Sequence, residues 1–223
     1  MVILVAATLS FTAISLQPLQ DKNVEIEKKQ NILASVGIEA DANNAEAEYS
    51  KYITASFVVN SKGEKVEGID AFKLNMAQEV SKAHDTRNLP IYICKKNDNQ
   101  YFIIPLRGKG LWGPIWGYLA LESDLNTIYG AVFDHKGETP GLGAEINQGW
   151  FQEPFLGKTI FNKDGNFVSI TVHKGGKGSA AAAGDLEHGV DAISGGTITS
   201  KGLEAMISDC LTPYENYFKN QKK

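Results

Sequence analysis

Four hydroxyl side chains, Ser194, Thr197, Thr199 and Ser200, flank the pair Gly195-Gly196 in the run that starts at Asp191. Behind them Leu203, Met206, Ile207, Cys210 and Leu211 recur at three- and four-residue spacing, which predicts one face of a helix. A helix start flanked by Ser and Thr has two uses. The hydroxyls can cap the helix by accepting hydrogen bonds from its free backbone N–H groups. Alternatively, those N–H groups and the positive end of the helix dipole can seat a phosphate, with glycine allowing a bulky group to come close. Both uses draw on the same open amides, so spacing alone leaves them both standing. A threonine hydroxyl is a weak nucleophile and the run contains no His to serve as its base, so a covalent bond made there calls for a separate enzyme.

Two further Gly-rich segments carry possible chemistry. His135–Glu145 contains the turn signal Pro140-Gly141, whose backbone amides can hydrogen-bond the edge of a planar cofactor while Leu142 packs on its face; a plain turn is the simpler reading. Gly108–Gly117 places Trp112 and Trp116 among glycines in a strand-to-strand loop. His135 and Glu138 make only half of a metal site, and His84, His173 and His188 are scattered, so no metal is expected. The sequence has no GxGxxG dinucleotide fingerprint, no GxxxxGK[ST] phosphate loop and no HExxH.

The remaining sequence must position these segments. At 223 residues the chain can bury one sizeable core. Its formal net charge of −4 lacks the basic surplus that phosphate neutralisation requires, so nucleic acid is excluded as a general partner. Only Cys94 and Cys210 are present, which rules out a disulfide framework and a four-Cys metal site and leaves one disulfide or two buried thiols. Val2–Leu16 is uncharged but shorter than the about 20 residues of a membrane span, so the span is expected to begin ahead of Met1. No Lys or Arg precedes the stretch and no small-x-small site follows it, which favours an anchor over a cleaved signal peptide.

We expect an anchor over 1–20, a charged connecting helix over 21–38 and one α+β domain over 39–223. Within it, Asp41–Ser50 is expected as a loop and Asp70 as the N-cap of a helix reaching Lys82. Strands are expected at Tyr52–Val59, Ile91–Lys95, Gln100–Leu106, Gly117–Glu122, Thr127–Asp134 and Phe167–His173, forming a mostly antiparallel sheet. A short helix is expected near Gln148–Leu156, and a final one from Thr199 to Phe218 divided at Pro213.

Taken together, the three Gly-rich segments resemble the covalent FMN-binding domain family. Asp191-x-x-Ser194-Gly195-Gly196-Thr197 is similar to the motif Asp-x-x-Ser/Thr-Gly-Ala-Thr, in which the last Thr joins FMN through a phosphoester; Gly196 stands where Ala is commoner. The ETPGLG run at Glu138–Gly143 and the GLWGPIWGY run at Gly110–Tyr118 resemble the family's flavin-side segments. The apolar N-terminus and the stretch Leu16–Leu33 extend the resemblance over essentially the whole chain, to the C-subunit family of Na+-translocating NADH:quinone oxidoreductases.

The resemblance implies FMN held covalently by Thr197, with Ser194, Gly195, Gly196, Thr199 and Ser200 around the attachment point. It implies Glu138, Thr139, Gly141, Leu142 and Gly143 along the isoalloxazine, Trp112 and Lys174 as further contacts, and Asp191 as a flavinylation residue that serves transferase recognition or Thr197 activation; a turn residue is its simpler role. The implied function is electron relay, without turnover alone, in a respiratory complex coupling NADH oxidation and quinone reduction to Na+ export. Partner subunits would bind most of the NADH, quinone and Na+, and a flavin transferase would donate FMN from FAD. The implied location is the bacterial inner membrane, single-pass, with the flavin domain periplasmic. The corresponding flavoprotein of the Rnf electron-transport complex is the nearest alternative. A flavin-free tethered binding module and a free-standing flavin reductase are alternatives of other classes.

Overall fold

The computed structural model describes residues 1–221. Its first element, α1 (Val2–Ala34), runs unbroken from the apolar N-terminus through Pro18 into the charged stretch, so anchor and connecting helix form one rod. It is the one helix among the described residues that is long and apolar enough to cross a membrane. Its first 24 residues are exposed, whereas Ile32 and Leu33 are buried against the domain.

The chain continues through α2 (Ala45–Tyr52), β1 (Ile53–Val59), β2 (Lys65–Val66), α3 (Met76–Glu79), β3 (Leu89–Lys96), β4 (Asn99–Lys109), β5 (Pro114–Leu121) and β6 (Ile128–His135). After these come α4 (Gly149–Gln152), β7 (Thr171–His173), α5 (Ser179–Ala182), β8 (Gly189–Asp191), α6 (Thr197–Leu211) and α7 (Glu215–Gln221). Six strands form one antiparallel sheet in the order β2-β1-β3-β4-β5-β6. β7 and β8 pair in parallel beside it.

Both faces of the sheet are covered, which explains why its central strands are apolar almost throughout rather than alternating. Leu89, Ile91, Phe102, Ile104 and Leu106 face α6 and α7, meeting Leu203, Met206, Ile207 and Phe218. Tyr92, Cys94, Tyr101, Ile103 and Tyr118 face the end of α1, meeting Ile32, Leu33 and Val36. Cys94 and Cys210 therefore occupy different clusters as two buried free thiols. Burial pushes each thiol up to about 11, so both are protonated and unreactive at neutral pH.

The four hairpin strands β3–β6 and the division of the last helix around Pro213 match expectation. Three segments differ. Asp41–Ser50 is not all loop: Ala45–Tyr52 is helical, built of Ala, Glu, Lys, Ser and Tyr, and its Ala45 is buried in the domain interior. The helix expected from Asp70 to Lys82 is reduced to the single turn α3. Asp70 Oδ1 accepts from the Phe72 N–H at 2.9 Å, and the Ala71 carbonyl accepts from the Tyr92 hydroxyl at 3.0 Å, so this backbone is committed to other bonds. Phe167–His173 forms a strand only from Thr171, because Ser169 sits at φ 62 and interrupts it.

Candidate functional site

The site is assembled at the N-terminus of α6, where β8 delivers the chain. Its amides are spent as follows. Ala192 N–H donates to the His173 carbonyl at 2.8 Å, and Ile193 N–H donates to Ser200 Oγ at 3.1 Å. Gly195 turns the chain at φ 75, and Gly196 is the N-cap, supplying no side chain to cap the helix. Ser200 N–H makes the first intrahelical bond, to the Gly196 carbonyl at 2.9 Å, so Thr197, Ile198 and Thr199 point amides outward without an intrahelical acceptor.

The four hydroxyls divide into two pairs. Ser200 and Thr199 are buried and committed: Ser200 Oγ donates to the Gly196 carbonyl at 2.9 Å, and Thr199 Oγ1 donates to Glu138 Oε2 at 2.5 Å. Ser194 is exposed, Thr197 is half-buried, and neither hydroxyl has a hydrogen-bond partner among the described residues. None of the four caps α6, so the capping use fails and the open-amide use remains.

Glu138 joins the three Gly-rich segments. Its buried carboxylate accepts from Thr199 in α6 and, through Oε1, from the Trp112 N–H at 2.8 Å at the tip of the β4–β5 hairpin. Its own N–H donates to His135 Nδ1 at 3.1 Å, so that pair is tied through the backbone and is not a chelate. Gly143 is required at this junction: a Cβ there would stand 2.3 Å from Thr199 Oγ1 and 2.5 Å from Glu138 Oε2. The neighbouring Leu142 leans over Gly195 and Gly196 and is 40% exposed. Trp112 is 69% exposed and Ile198 61%, which leaves an apolar rim beside the open amides. Thr139 and Gly141 are exposed on the same loop.

Two expected site residues lie apart. Lys174 is exposed just beyond β7, and among the described residues it makes no hydrogen bond or ion pair. Asp191 turns its carboxylate onto the N-terminus of α5, accepting from Gly178 N–H at 2.5 Å, Ala180 N–H at 2.8 Å and Ser179 Oγ at 3.0 Å. Burial alone would raise its pKa, but these hydrogen bonds outweigh that and hold the carboxyl below its ordinary value. Glu145 is a site residue that sequence reasoning misses. Its Oε1 accepts from Gly141 N–H at 3.0 Å and its Oε2 from Trp150 Nε1 at 3.2 Å, fixing the loop that carries Leu142; a carboxylate four residues after Gly141 is the available signal.

The arrangement can hold a phosphate ester on outward amides, expose two free hydroxyls beside it, Ser194 before the helix and Thr197 at its first position, and offer an apolar rim to a flat ring. Residues 110–212, which include all of these groups, match the FMN-binding domain family. The C subunit of the Na(+)-translocating NADH-quinone reductase of Haemophilus ducreyi is 34% identical over 208 residues, covering 86% of this chain and 78% of that protein. The same subunit of Vibrio alginolyticus is 32% identical, covering 87% and 80%. Among solved structures, the C subunit of the Parabacteroides distasonis reductase superposes with a TM-score of 0.81 at 40% identity, over 91% of this chain and 96% of that one. Shewanella oneidensis NqrC gives 0.72 at 25% identity, over 89% and 97%. With both sequence and fold shared over most of each protein, this chain belongs to the C-subunit family of the Na(+)-translocating NADH-quinone reductases.

Proposed function

We propose that this chain is the flavoprotein subunit that relays electrons within a Na+-translocating NADH:quinone oxidoreductase, with FMN joined to Thr197 through a phosphoester. The observation that carries the attachment point is the division of the hydroxyls: Thr199 and Ser200 are consumed by the fold, whereas Thr197 stands unpaired at the first position of a 15-residue helix with open amides. The residues present fit FMN. The amides of Thr197, Ile198 and Thr199 would hold its phosphate, and Leu142 and Trp112 would shelter its ring.

Bound FMN would supply the capacity to take up one or two electrons and so to connect two-electron and one-electron centres. The chain's own part is to hold, orient and shield. Among the described residues no base is hydrogen-bonded to Thr197, so attachment is assigned to a flavin transferase acting on FAD: the Thr197 Oγ1–P bond would form, the pyrophosphate bond of FAD would break, AMP would leave, and a transferase base would take the hydroxyl proton. A covalent bond suits a domain on the periplasmic side of the inner membrane, where a lost cofactor is not replaced. NADH, quinone and Na+ are assigned mainly to partner subunits, and α1, the one helix among the described residues long and apolar enough to cross a membrane, is assigned as the anchor.

The test is in-gel flavin fluorescence after denaturing electrophoresis, with the chain and its Thr197→Ala variant each coexpressed with a flavin transferase. A fluorescent band lost only in the variant supports the assignment. Two dark bands, with the transferase active on another substrate, would overturn it.

A further inference from the structure

Residues 174–188 join the parallel strands β7 and β8 as a crossover that contains α5. Among these described residues Ala180 alone is buried, so apolar burial contributes little to the order of the segment and polar bonds must hold it. Asp191, at the end of β8, accepts from Gly178 N–H, Ala180 N–H and Ser179 Oγ at the start of α5. Ser179 Oγ lies 2.9 Å from the His173 carbonyl and 3.0 Å from Asp191 Oδ1, so its one proton is shared between the ends of β7 and β8. Asp185 Oδ2 stands 2.8 Å from His173 Nε2, and its Oδ1 accepts from the His188 N–H at 3.1 Å.

The clamped crossover is tied to the segment that ends at Thr197. The His173 carbonyl that meets Ser179 also accepts from the Ala192 N–H at 2.8 Å, and Lys177 lines a cavity of ≈200 Å³ together with Asp191, Ala192 and Trp150. The outer face of the crossover exposes Lys174, Lys177, Ala181, Ala182, Ala183 and Leu186, and neither lysine has an ion pair among the described residues. It is thus a basic and apolar surface held in fixed relation to the acceptor hydroxyl. An enzyme that brings FAD to Thr197 must grip such a surface to align the attack, and the anionic pyrophosphate it carries is complementary to the two lysines. We infer that this face is where the flavin transferase docks, with Ser179 and Asp191 as positioning residues that hold the crossover and do not act on Thr197. The inference rests on the attachment at Thr197 proposed above. The Asp191 carboxylate supports it, because its bonds go to α5 and none goes to Thr197.

The test incubates the full chain in detergent with FAD and a flavin transferase and reads initial rates of covalent labelling from gel fluorescence against chain concentration, well below the lowest melting midpoint. Docking predicts a higher half-saturating chain concentration with an unchanged maximal rate: about threefold higher for Ser179→Ala and about tenfold for Asp191→Asn, as for one and several lost hydrogen bonds. Combining the two should add less than about twofold to Asp191→Asn alone, since both loosen one element. Lys177→Glu, an exposed charge reversal outside the clamp, should raise the half-saturating concentration about fivefold. Asp209→Asn, which loses Arg87 and His84 near the far end of α6, lowers stability and should leave both parameters within about twofold. A fall in maximal rate at unchanged half-saturation would place Asp191 in chemistry at Thr197 and overturn the inference. Unchanged kinetics in Ser179→Ala or Lys177→Glu, or an equal effect of Asp209→Asn, also overturns it. In each of these outcomes the wild type is labelled and the Thr197 assignment stands, whereas a dark wild type overturns both.

Discussion

Thr199 donates a 2.5 Å hydrogen bond to Glu138 across 61 residues of sequence, and the other oxygen of that carboxylate holds the Trp112 amide. One buried side chain therefore fixes α6, the ETPGLG loop and the β4–β5 hairpin tip relative to one another. The Thr197 hydroxyl is left unbonded, so the framework that builds the site and the group that would react belong to different residues two positions apart.

Replacing Glu138 tests the junction directly. Glu138→Ala strands the buried Thr199 hydroxyl, while the Trp112 N–H at the exposed hairpin tip loses its partner but can turn to water, and we expect a loss of about 1–3 kcal/mol, most of it from Thr199. Glu138→Gln should cost less, because its single amide oxygen can satisfy one donor while its NH2 faces the other. Urea unfolding with fixed m-value measures both, and equal stability of all three proteins would remove Glu138 from the framework.

The two threonines should separate cleanly. Thr199→Val removes a buried donor from a carboxylate and is expected to destabilise by about 1–3 kcal/mol while flavin attachment persists. Thr197→Val alters a half-buried, unbonded hydroxyl and should change stability by no more than about 0.5 kcal/mol, yet abolish covalent flavin. Melting curves and in-gel fluorescence on the same samples read both effects.

Gly143→Ala should act through the same contact. Its Cβ would fall 2.3 Å from Thr199 Oγ1 and 2.5 Å from Glu138 Oε2, far inside contact distance, so either the loop or the hydrogen bond must give way. We expect about 1–3 kcal/mol of destabilisation, and a shift in near-ultraviolet circular dichroism as Trp112 loses its anchor. Gly137→Ala, where a Cβ meets nothing within 4 Å, is the control.

The sheet was legible because Gly, Asn and Asp punctuate β3 to β6 and the apolar runs between them are the length of strands. The site segments were legible as glycine-rich runs with hydroxyls. Their convergence was not, because the Glu138 bonds span 61 and 26 residues and no local spacing records them. The segment after Asp70 failed for a related reason. Phe72, Met76, Val80 and Ala83 carry a helical period, but Ala71 and Phe72 are drawn into the cluster under α1, and Tyr92 takes the Ala71 carbonyl. Asp191 was legible as part of a motif, whereas its partners Gly178, Ser179 and Ala180 form the start of α5, 11 to 13 residues upstream, and depend on its carboxylate for three hydrogen bonds.

That dependence makes Asp191 an acid-sensitive strap. Its folded pKa lies below the ordinary 3.8, so its contribution is complete above the unfolded value and is lost as pH falls from about 4 through the depressed value. Asp209 and Glu79 are shifted in the same direction, against their own burial, by Arg87 with His84 and by Lys82 with Asn88, so the wild type should lose stability through this window. Asp191→Asn keeps the size but accepts the same donors more weakly, and should cost about 1–2 kcal/mol at pH 7 after allowing for partial exposure. The difference between variant and wild type should shrink below pH 4 as the wild-type carboxyl protonates. Thermal melts from pH 7 to pH 2, with amide exchange at Gly178 and Ala180, measure both. A pH-independent gap between the two proteins would show that the strap does not act through its charge.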